Sequence, residues 1–546
     1  MRISILSTLL SLTFLPLINA QWPVNAQDAI IREIEHLILD NAKYNLKSFI
    51  SPCSQYIDSS TGSADTKLGR QTAAEWIRTT FHDFVTGNIY TLQGGLDASI
   101  GFETDRAENV GSAFNDALTN FGYFYNARVS MADLIAAGTV LAAGHCGSTP
   151  VTLRAGRVDA TAAGASGVPQ PQDPLQQQLN TFGNAGFNRD DTIALTACGH
   201  TLGGVHKKDF PAVTTPVGTV EGTDGRVSFD TSTNNFDNSV VKEYLTGTGN
   251  KGGPLVTTNN TVQRSDLRLY TSDNNATMTR LGQSESYFTS QCSSLFQRMI
   301  ELVPSGVRLT PPVNPSASSN LKPYNVDLNI DWKGQMTLTG YLRYVQVSGA
   351  GTAPGSYTVK LIGRNGQTQS QTATATKSAA DSGTGLFGPT YSYKLTLQFP
   401  ATTGVSGIDV GGTKFTFQDS MFVVPGLSSV SPTPPPFSTT PAMNAQKDYT
   451  ANLTVAYLSA TPPNSLTATF SIPTPQTGSV SPRIDSSTTQ SLSLIGKVNG
   501  YGIYSGKVTK TLSGKQAYGL SVDASATGQG AGSGGLGFYK IFNKDN

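Results

Sequence analysis

Apolar residues recur at three- and four-residue spacing along the first three hundred residues of the chain, which predicts amphipathic helices. Connections rich in glycine and threonine separate these helical segments. Ser130 precedes one segment and Asn188 or Asp190 precedes another, and side chains of these types cap first helical turns. The helices are expected at 29–49, 72–84, 131–143, 191–202 and 284–302.

Beyond about residue 305 the pattern changes to alternating apolar and polar residues, with many β-branched and aromatic types, which predicts strands. A linker at 306–320 separates the two parts, and a second Pro/Ser/Thr-rich segment at 429–442 interrupts the strand-rich part. We therefore predict a multidomain chain with a helical domain at 21–305 and sandwich-like all-β modules at 321–428 and 443–546. The strands are expected at 328–347, 356–362, 391–399, 414–424, 449–458, 465–472, 490–498 and 502–512.

The first twenty residues have the organisation of a secretory signal peptide, with a positive start, an apolar stretch and a small residue, Ala20, before Gln21. The apolar stretch is short and is broken by Ser, Thr and Pro, which argues against a membrane anchor. We therefore expect an extracellular protein with no membrane partner. Sequons for glycosylation agree with secretion, at Asn259, Asn275 and Asn452.

Composition narrows the class of protein further. A chain of 546 residues is too long for one core. The net charge of +1 and the 14% of charged residues give no support for a nucleic-acid partner. The four cysteines lack metal-site spacing and permit three full pairings in an oxidising compartment. Cys198 could equally be a free buried thiol.

Two of the five histidines have neighbours that indicate chemistry. Arg78 and His82 are four residues apart on the predicted helix 72–84 and therefore share one face. A neutral imidazole can take a proton from hydrogen peroxide and return it to the leaving oxygen. A fixed guanidinium can stabilise the negative charge that develops as the O–O bond breaks. Phe81 would cover this space and keep it dry.

Several motifs in order resemble the plant, fungal and bacterial haem peroxidase superfamily. Arg78-Thr-Thr-Phe-His-Asp83, followed by Gly94-Gly-Leu-Asp-Ala-Ser99, is similar to its distal helix and distal calcium loop. Ala194-Leu-Thr-Ala-Cys-Gly-His-Thr-Leu-Gly203 is similar to its proximal helix. The resemblance covers about residues 50–305 and leaves the C-terminal half unassigned. It implies a mainly α-helical haem peroxidase domain that binds haem b.

The resemblance also implies the roles of individual residues. His200 would be the axial ligand of the haem iron, and Asp266 would accept a hydrogen bond from its other ring nitrogen. Asn109 would hold His82 in its basic tautomer. Two Ca²⁺ ions are implied because hard cations prefer oxygen ligands. Their ligands would be Asp83, Gly95, Asp97 and Ser99 for the first ion, and Thr201, Asp230, Thr233 and Asp237 for the second.

Other positions bear on the reducing substrate. Glu75 fills one manganese-binding position of the fungal manganese peroxidases, but Gln71 and His206 occupy the others. Leu195 stands where lignin peroxidases carry a surface tryptophan. The chain therefore resembles a fungal secreted peroxidase intermediate between subclasses. We expect a monomeric enzyme that reduces H₂O₂ and oxidises small phenolic or aromatic donors in one-electron steps.

The β-rich half supports an alternative interpretation. The chain could be a cell-wall or carbohydrate-interaction protein in which the peroxidase domain is secondary, with polysaccharide contact through the C-terminal region. Four tyrosines of this region would support the alternative if their rings were exposed. The simpler interpretation is that they occupy ordinary core and surface positions of the sandwich. They are Tyr357, Tyr391, Tyr501 and Tyr504.

Overall fold

Helices make up most of the N-terminal half and antiparallel sheets make up the C-terminal half of the computed structural model. The structure describes residues 26–41, 45–59, 61, 63–214, 220–318, 320–434, 444–527 and 539–540. The predicted signal peptide at 1–20 lies outside these residues. No helix within the described ranges is long and apolar enough to cross a membrane.

The N-terminal half contains longer helices joined by irregular segments and short helical turns, with a small sheet of three short strands. The strands are β1 (Gly204–His206), β2 (Val220–Glu221) and β3 (Arg226–Ser228). The helices are α1 (Ala26–Leu39), α2 (Thr72–Phe84), α3 (Ala113–Gly122), α4 (Met131–His145), α5 (Leu175–Asn184), α6 (Arg189–Gly199), α7 (Pro211–Thr214), α8 (Ser239–Thr246), α9 (Pro254–Thr257), α10 (Ser265–Tyr270), α11 (Ala276–Gly282) and α12 (Glu285–Glu301).

Helix α4 lies at the centre of the helical core, and its residues from Met131 to Ala143 are buried. Ser130 caps it, because its hydroxyl accepts the N–H of Asp133. Helix α2 packs against it, and the hydroxyls of Thr80 and Thr139 form a 2.6 Å hydrogen bond between the two helices. The close packing of α2 on α4 fixes the helix that carries Arg78 and His82.

Helix α6 begins with a capping box at Asn188, as one of the two capping alternatives predicted. Near its other end, Cys198 forms a disulfide with Cys292 of α12. The second disulfide joins Cys53 to Cys146, the residue that follows α4. Cys198 is therefore not a free thiol, and the disulfides connect α6 to α12 and the end of α4 to the segment that contains Cys53.

The C-terminal half contains three antiparallel sheets, with strand orders β10-β9-β6-β7-β8-β5-β4, β11-β13-β17-β16 with β12 beside β13, and β15-β14-β18-β19. Helix α13 (Gly514–Gly519) precedes β18. The strands are β4 (Leu321–Ile330), β5 (Gln335–Val345), β6 (Ser356–Ile362), β7 (Thr368–Gly385), β8 (Gly388–Pro400), β9 (Gly407–Val410), β10 (Thr413–Thr416), β11 (Met421–Val423), β12 (Ser429–Ser431), β13 (Gln446–Leu458), β14 (Ser465–Thr474), β15 (Arg483–Ser491), β16 (Ser493–Val498), β17 (Tyr501–Ser513), β18 (Ser521–Thr527) and β19 (Tyr539–Lys540).

One hydrophobic core joins the three sheets. It contains Leu338 and Leu395 from before the predicted 429–442 linker and Val455 and Ile503 from after it. Strand β11 lies before that segment and pairs with β13 beyond it. The two predicted β modules therefore pack as one unit.

A buried ion-pair cluster connects this β region to α1. Arg343 of β5 places its guanidinium 2.7 Å from the Glu35 carboxylate and 2.9 Å from the Asp40 carboxylate. Lys322 of β4 also pairs with Glu35. Buried charges of this kind are found where each has a partner. The β region is thus packed against the helical domain instead of being tethered only by the linker.

Several predicted elements differ from those observed. Helix α1 ends at Leu39, whereas the prediction continued to residue 49, and only a short helical turn follows at Leu46–Phe49. The predicted strand 328–347 is a hairpin of β4 and β5, because Asp331 accepts the backbone N–H groups of Lys333 and Gln335 and closes a turn. The predicted strand 490–498 falls across the end of β15 and β16.

Candidate active site

A cavity of about 280 Å³ lies between α2 on one side and α6 with β3 and α10 on the other. Arg78, Phe81 and His82 line the first side, and His200 and Asp266 line the second. The structure therefore brings the two predicted histidines to opposite sides of one cavity. The elements that support the cavity are far apart in sequence, so only the tertiary fold creates it.

His82 is held by a chain of two hydrogen bonds. Its Nδ1 lies 2.7 Å from Oδ1 of Asn109, and the Asn109 amide nitrogen donates to the carbonyl of Glu103 at 2.8 Å. Because the amide nitrogen is used by Glu103, Asn109 presents an acceptor to His82, which therefore carries its proton on Nδ1. Nε2 is left with a lone pair. Burial, followed by the charge of Arg78, holds the pKa of His82 well below 6.5.

Arg78 lies one helical turn from His82 on the same face of α2. Its guanidinium packs over the ring of Phe114 at 4.5 Å and donates to the carbonyl of Val110 at 3.0 Å. The His82 ring also contacts Phe114, at 4.6 Å between ring centroids. Burial lowers the pKa of Arg78 to about 10, so it stays a cation at neutral pH. The predicted base and the predicted cation are thus neighbours.

His200 follows directly after α6 and is oriented by Asp266. Its Nδ1 lies 2.7 Å from Asp266 Oδ2, while Ser265 donates to the other carboxylate oxygen at 3.0 Å. Its ring stacks on Phe229 with an interplanar angle of 3°. The His200 side chain is 26% exposed although its partner Asp266 is buried, because the ring faces the cavity. Nε2 is the ring nitrogen that remains available to a ligand.

One wall of the cavity is polar. The Arg70 guanidinium pairs with Glu75 at 2.6 Å, and burial raises the pKa of Glu75 to about 8. Glu75 is therefore paired with a cation of the protein itself. Four buried polar atoms of this wall have no hydrogen-bond partner among the described residues: Gln71 Oε1, Glu75 Oε2, His206 Nδ1 and Arg226 Nε.

The residues of the first predicted calcium cluster lie in one loop around Asp83. Both oxygens of this carboxylate accept backbone N–H groups, from Asp97 and Ala98 on one oxygen and from Ile100 on the other. The Asp97 carboxylate accepts the backbone N–H of Ser99, and the Ser99 hydroxyl lies 3.5 Å from Asp83 Oδ1, so the three residues share one loop. Gly95 lies in the same loop with a φ of +101° that favours glycine.

The second predicted calcium cluster has Asp230 and Asp237 at its centre. Ser232 donates to Asp237 Oδ1 at 2.9 Å and approaches Asp230 Oδ1 at 3.3 Å. Thr201 donates to the carbonyl of Asp237 at 2.6 Å. Asp230 Oδ2 is buried and has no hydrogen-bond partner within the described ranges. A buried carboxylate oxygen that accepts no hydrogen bond is well suited to bind a cation.

Sequence reasoning missed Ser232 and named Thr233 in its place. Thr233 uses its carbonyl to accept a hydrogen bond from Gln71 at 3.2 Å. The Asp-x-Ser spacing that begins at Asp230 was the available signal. No group of three His, Cys, Asp or Glu side chains in the described part of the chain is arranged to hold a metal. The first cluster combines two carboxylates with the Ser99 hydroxyl, and the second combines two carboxylates with the Ser232 hydroxyl and the Asp237 carbonyl.

The tyrosines named as possible surface aromatics are mostly covered. Tyr501 and Tyr504 are buried, and Tyr357 and Tyr391 are half-buried. The buried Tyr501 makes a polar contact within the core, because its hydroxyl accepts a hydrogen bond from the Arg364 guanidinium at 2.8 Å. Among the residues of the β region that the structure describes, Trp332 is an exposed aromatic, with 52% of its surface accessible.

Comparison with known proteins agrees with the geometry of the helical half. The peroxidase family model matches residues 59–284. A WSC domain-containing protein of Arthroderma benhamiae is 37% identical over 399 residues, which are 71% of this chain and 52% of that protein. This alignment is longer than the segment that the family model matches, so the similarity extends outside it.

Two relatives named as peroxidases match shorter segments. The peroxisomal L-ascorbate peroxidase 5 of Arabidopsis thaliana is 31% identical over 26% of this chain and 50% of its own length. Manganese peroxidase H4 of Phanerodontia chrysosporium is 30% identical over 33% of this chain and 47% of its own length. The chain thus spans about half the length of these relatives. The helical half of the chain is a peroxidase-family domain, and the antiparallel β region is an addition to it.

Proposed function

We propose that the chain is a secreted haem peroxidase that reduces H₂O₂ and oxidises small phenolic or aromatic donors in one-electron steps. The observation that supports this best is the pair of histidines on opposite sides of one cavity. His82 offers a lone pair, and His200 is oriented by a buried carboxylate. These are the groups that a proton-transferring side and an iron-binding side require.

The cavity fits haem b in its chemistry. Phe81, Leu202 and Phe229 supply apolar surface for a porphyrin, and His200 Nε2 is the nitrogen that would bind iron. The polar wall contains Arg226 Nε and His206 Nδ1, which suit the carboxylate edge of the cofactor. When bound, haem would supply the redox centre at which the O–O bond of peroxide is reduced.

The chain's own residues would manage protons and charge during that reduction. His82 Nε2 takes the proton of the bound peroxide and returns it to the leaving oxygen, which departs as water. Arg78 stabilises the negative charge that builds as the bond breaks. Phe81 and Phe114 limit water beside His82. Asp266 makes the His200 imidazole more electron-donating.

We also propose two Ca²⁺ ions, held by the oxygen clusters at Asp83 and at Asp230. The unpartnered Asp230 oxygen supports the second site, with Ser232 added to the ligands named above. In the first cluster, Asp83 and Asp97 place two carboxylates together in a buried loop. Each ion would stabilise the segment beside a histidine, since Asp83 follows His82 and Thr201 follows His200.

The test of the peroxidase proposal uses the full chain loaded with haem. We expect a Soret band that shifts on addition of H₂O₂, and oxidation of phenols that depends on peroxide. His82→Ala should retain haem but slow the peroxide-dependent shift by about 10²–10⁴-fold, and His200→Ala should weaken haem binding. His145→Ala is the control, because His145 does not line the cavity. A chain that retains no haem, or whose bound haem ignores peroxide, would overturn the proposal.

Secretion rests on the signal-peptide pattern of residues 1–20 and agrees with the two disulfides. Expression in a fungal host should release the protein into the medium with Gln21 as its N-terminal residue. Retention of the protein inside the cell with an intact N-terminus would contradict this part of the proposal. Peptide mass spectrometry distinguishes the two outcomes.

A second function, polysaccharide contact, rests on one surface of the β region. Trp332 packs over Gly496, and Leu494 and Ile495 beside it are 44% and 54% exposed. Strand β16, which carries them, is an edge strand. An exposed apolar cluster of this kind marks a binding surface. The flat indole suits the C–H face of a sugar ring, and Asn499 beside the same turn offers hydrogen bonds.

The experiment for this second function measures binding of the full chain to insoluble chitin, β-glucan, cellulose and lignin. Binding to one of the polysaccharides is expected, and Trp332→Ala should reduce the bound fraction about tenfold, which corresponds to the loss of one aromatic contact. Val262→Ala, at an exposed apolar residue of the helical domain, should bind like the wild type. Equal binding by Trp332→Ala and wild type would contradict polysaccharide contact at this surface.

A further inference from the structure

The hairpin loop between β14 and β15 reaches across to the helical domain. The Val480 N–H of this loop donates to the carbonyl of Gly101 at 2.8 Å. Within the loop, Gln476 donates to the Ser481 carbonyl at 3.1 Å, and the Ser481 N–H donates to the Ser479 hydroxyl at 3.1 Å. The loop therefore has internal hydrogen bonds and presents a defined surface to Gly101.

Gly101 has no space for a side chain. A Cβ there would lie 2.5 Å from the Ser481 hydroxyl and 2.8 Å from the Ser479 hydroxyl. These distances are shorter than van der Waals contact, so an alanine at residue 101 would force the two serine side chains or the loop to shift. Gly101 is not among the residues with positive φ, so its backbone conformation would tolerate alanine. The reason for glycine here is the approach of the C-terminal loop.

Gly101 lies between the two supports of His82. On one side, the Ile100 N–H donates to Asp83, the residue next to His82. On the other side, the Glu103 carbonyl accepts the amide of Asn109, whose oxygen holds His82 Nδ1. A displacement of the segment 100–103 would therefore disturb both the helix position and the ring orientation of His82.

Two further contacts join the β region to the helical domain. Arg128 pairs with Asp523 of β18 at 3.1 Å. Lys515 of α13 places its ammonium 4.0 Å from the ring centroid of Tyr123, which follows α3. The loop thus belongs to a β region that contacts the helical domain at other points as well.

We propose that the C-terminal β region acts as an intramolecular clamp on the segment Ile100–Glu103, with Val480 and Ser481 as positioning residues for His82. This assigns to the β region a role in the helical domain's own site. The effect on peroxide chemistry rests on the proposed function, whereas the clamp itself does not.

The test first adds a side chain at residue 101 and then removes the loop hydroxyls that it would meet. Gly101→Ala should speed hydrogen exchange at the Ala98 and Ile100 amides about tenfold or more, because both donate to Asp83. In the haem-loaded chain it should slow the peroxide-dependent Soret shift about tenfold or more, since small displacements of catalytic groups have large effects. Gly101→Ala combined with Ser479→Gly and Ser481→Gly, which removes both hydroxyls that the new Cβ would approach, should return both quantities to within about twofold of wild type.

A second pair of variants tests the hydrogen bond. Val480→Pro removes the backbone N–H that donates to the Gly101 carbonyl. Val480→Ala keeps this N–H and only shortens an exposed side chain. Only the proline variant should change exchange at Ala98 and Ile100. Wild-type exchange in both Gly101→Ala and Val480→Pro, or failure of the combined Ser479→Gly and Ser481→Gly substitutions to rescue Gly101→Ala, would overturn the clamp. Exchange requires neither cofactor nor peroxide, so this result is independent of the proposed activity.

Discussion

Asn109 accepts a hydrogen bond from His82 Nδ1 at 2.7 Å while its own amide donates to the Glu103 carbonyl. This arrangement determines which ring nitrogen of His82 carries the proton. The lone pair on Nε2 is available to a substrate only in this tautomer. The proposed catalytic use of His82 thus depends on Asn109, a residue that does not line the cavity.

The lowered pKa of His82 predicts the pH dependence of the peroxide step. Since burial and Arg78 keep the ring neutral well below pH 6.5, the rate of the peroxide-dependent Soret shift should stay level as the pH falls through about 6.5 and decrease only in more acid solution. Asn109→Leu should slow this step about 10–100-fold. Stopped-flow absorbance measures both, and an acid limb centred at 6.5 in the wild type would contradict the assignment.

Ser232 and Thr233 offer a matched pair at the second oxygen cluster. Ser232→Ala should lower the affinity for Ca²⁺ about tenfold, because its hydroxyl lies between Asp230 and Asp237. Thr233→Val should retain wild-type affinity, since its observed contact uses the backbone carbonyl. Chelator titration with metal analysis gives the two affinities. Loss of Ca²⁺ in Thr233→Val alone would restore the ligand set implied by the family resemblance.

Arg343 should be necessary for the attachment of α1 to the β region. Arg343→Met leaves the buried carboxylates of Glu35 and Asp40 without their main partner and should destabilise the protein by about 3–5 kcal/mol. Lys322→Met removes a more exposed partner of Glu35 and should have an effect of about 1 kcal/mol or less. Thermal and denaturant unfolding compare the two variants. Equal free energies of unfolding for Arg343→Met and Lys322→Met would show that the ion-pair cluster does not hold α1 and the β region together.

The lowered pKa of Lys515 predicts that the folded protein becomes more stable in alkaline solution. Burial lowers its pKa from 10.5 to about 8 in the folded protein, so between these values the unfolded chain binds more protons and the free energy of unfolding increases with pH. Lys515→Met should stabilise the protein by about 1–3 kcal/mol at pH 7 and lose this advantage as the pH approaches 10.5.

The exposed Lys510 supplies the control for this comparison. Lys510→Met should leave the free energy of unfolding near the wild-type value at both pH values, because surface charges contribute little. Denaturant unfolding at neutral and alkaline pH measures the difference. A stabilising effect of Lys515→Met that does not change with pH would mean that packing, and not the charge, is responsible.

The helices and the residues that line the candidate site could be predicted where local pattern and chemistry agree. Helix α2 has the predicted bounds, 72–84, because its apolar residues pack in the core and its buried threonines have hydrogen-bond partners, Thr79 with the Glu75 carbonyl and Thr80 with Thr139. Strand β7 was missed because it consists largely of Thr, Ser, Gln and Ala with mostly exposed side chains. Its strand conformation comes from pairing with β6 and β8.

Other features could not be predicted because the sequence contains no local signal for them. The contact of Val480 with Gly101 joins a backbone N–H to a backbone carbonyl between distant parts of the chain. The pairing of Arg343 with Glu35 likewise depends on how the β region packs on α1. The disulfide partners had three alternatives, and the fold selects one of them. Tertiary packing decides such contacts, and the family resemblance does not reach the β region.

The two disulfides have a consequence for the durability of the molecule. All four cysteines of the chain lie within the described residues and all are paired, so no thiol is present to be converted to sulfenic, sulfinic or sulfonic acid. Cys198 and Cys292 are also fully buried beside the helix that leads to His200. Prolonged exposure to an oxidant therefore cannot inactivate this protein through the stepwise oxidation of free cysteine that disables many intracellular enzymes.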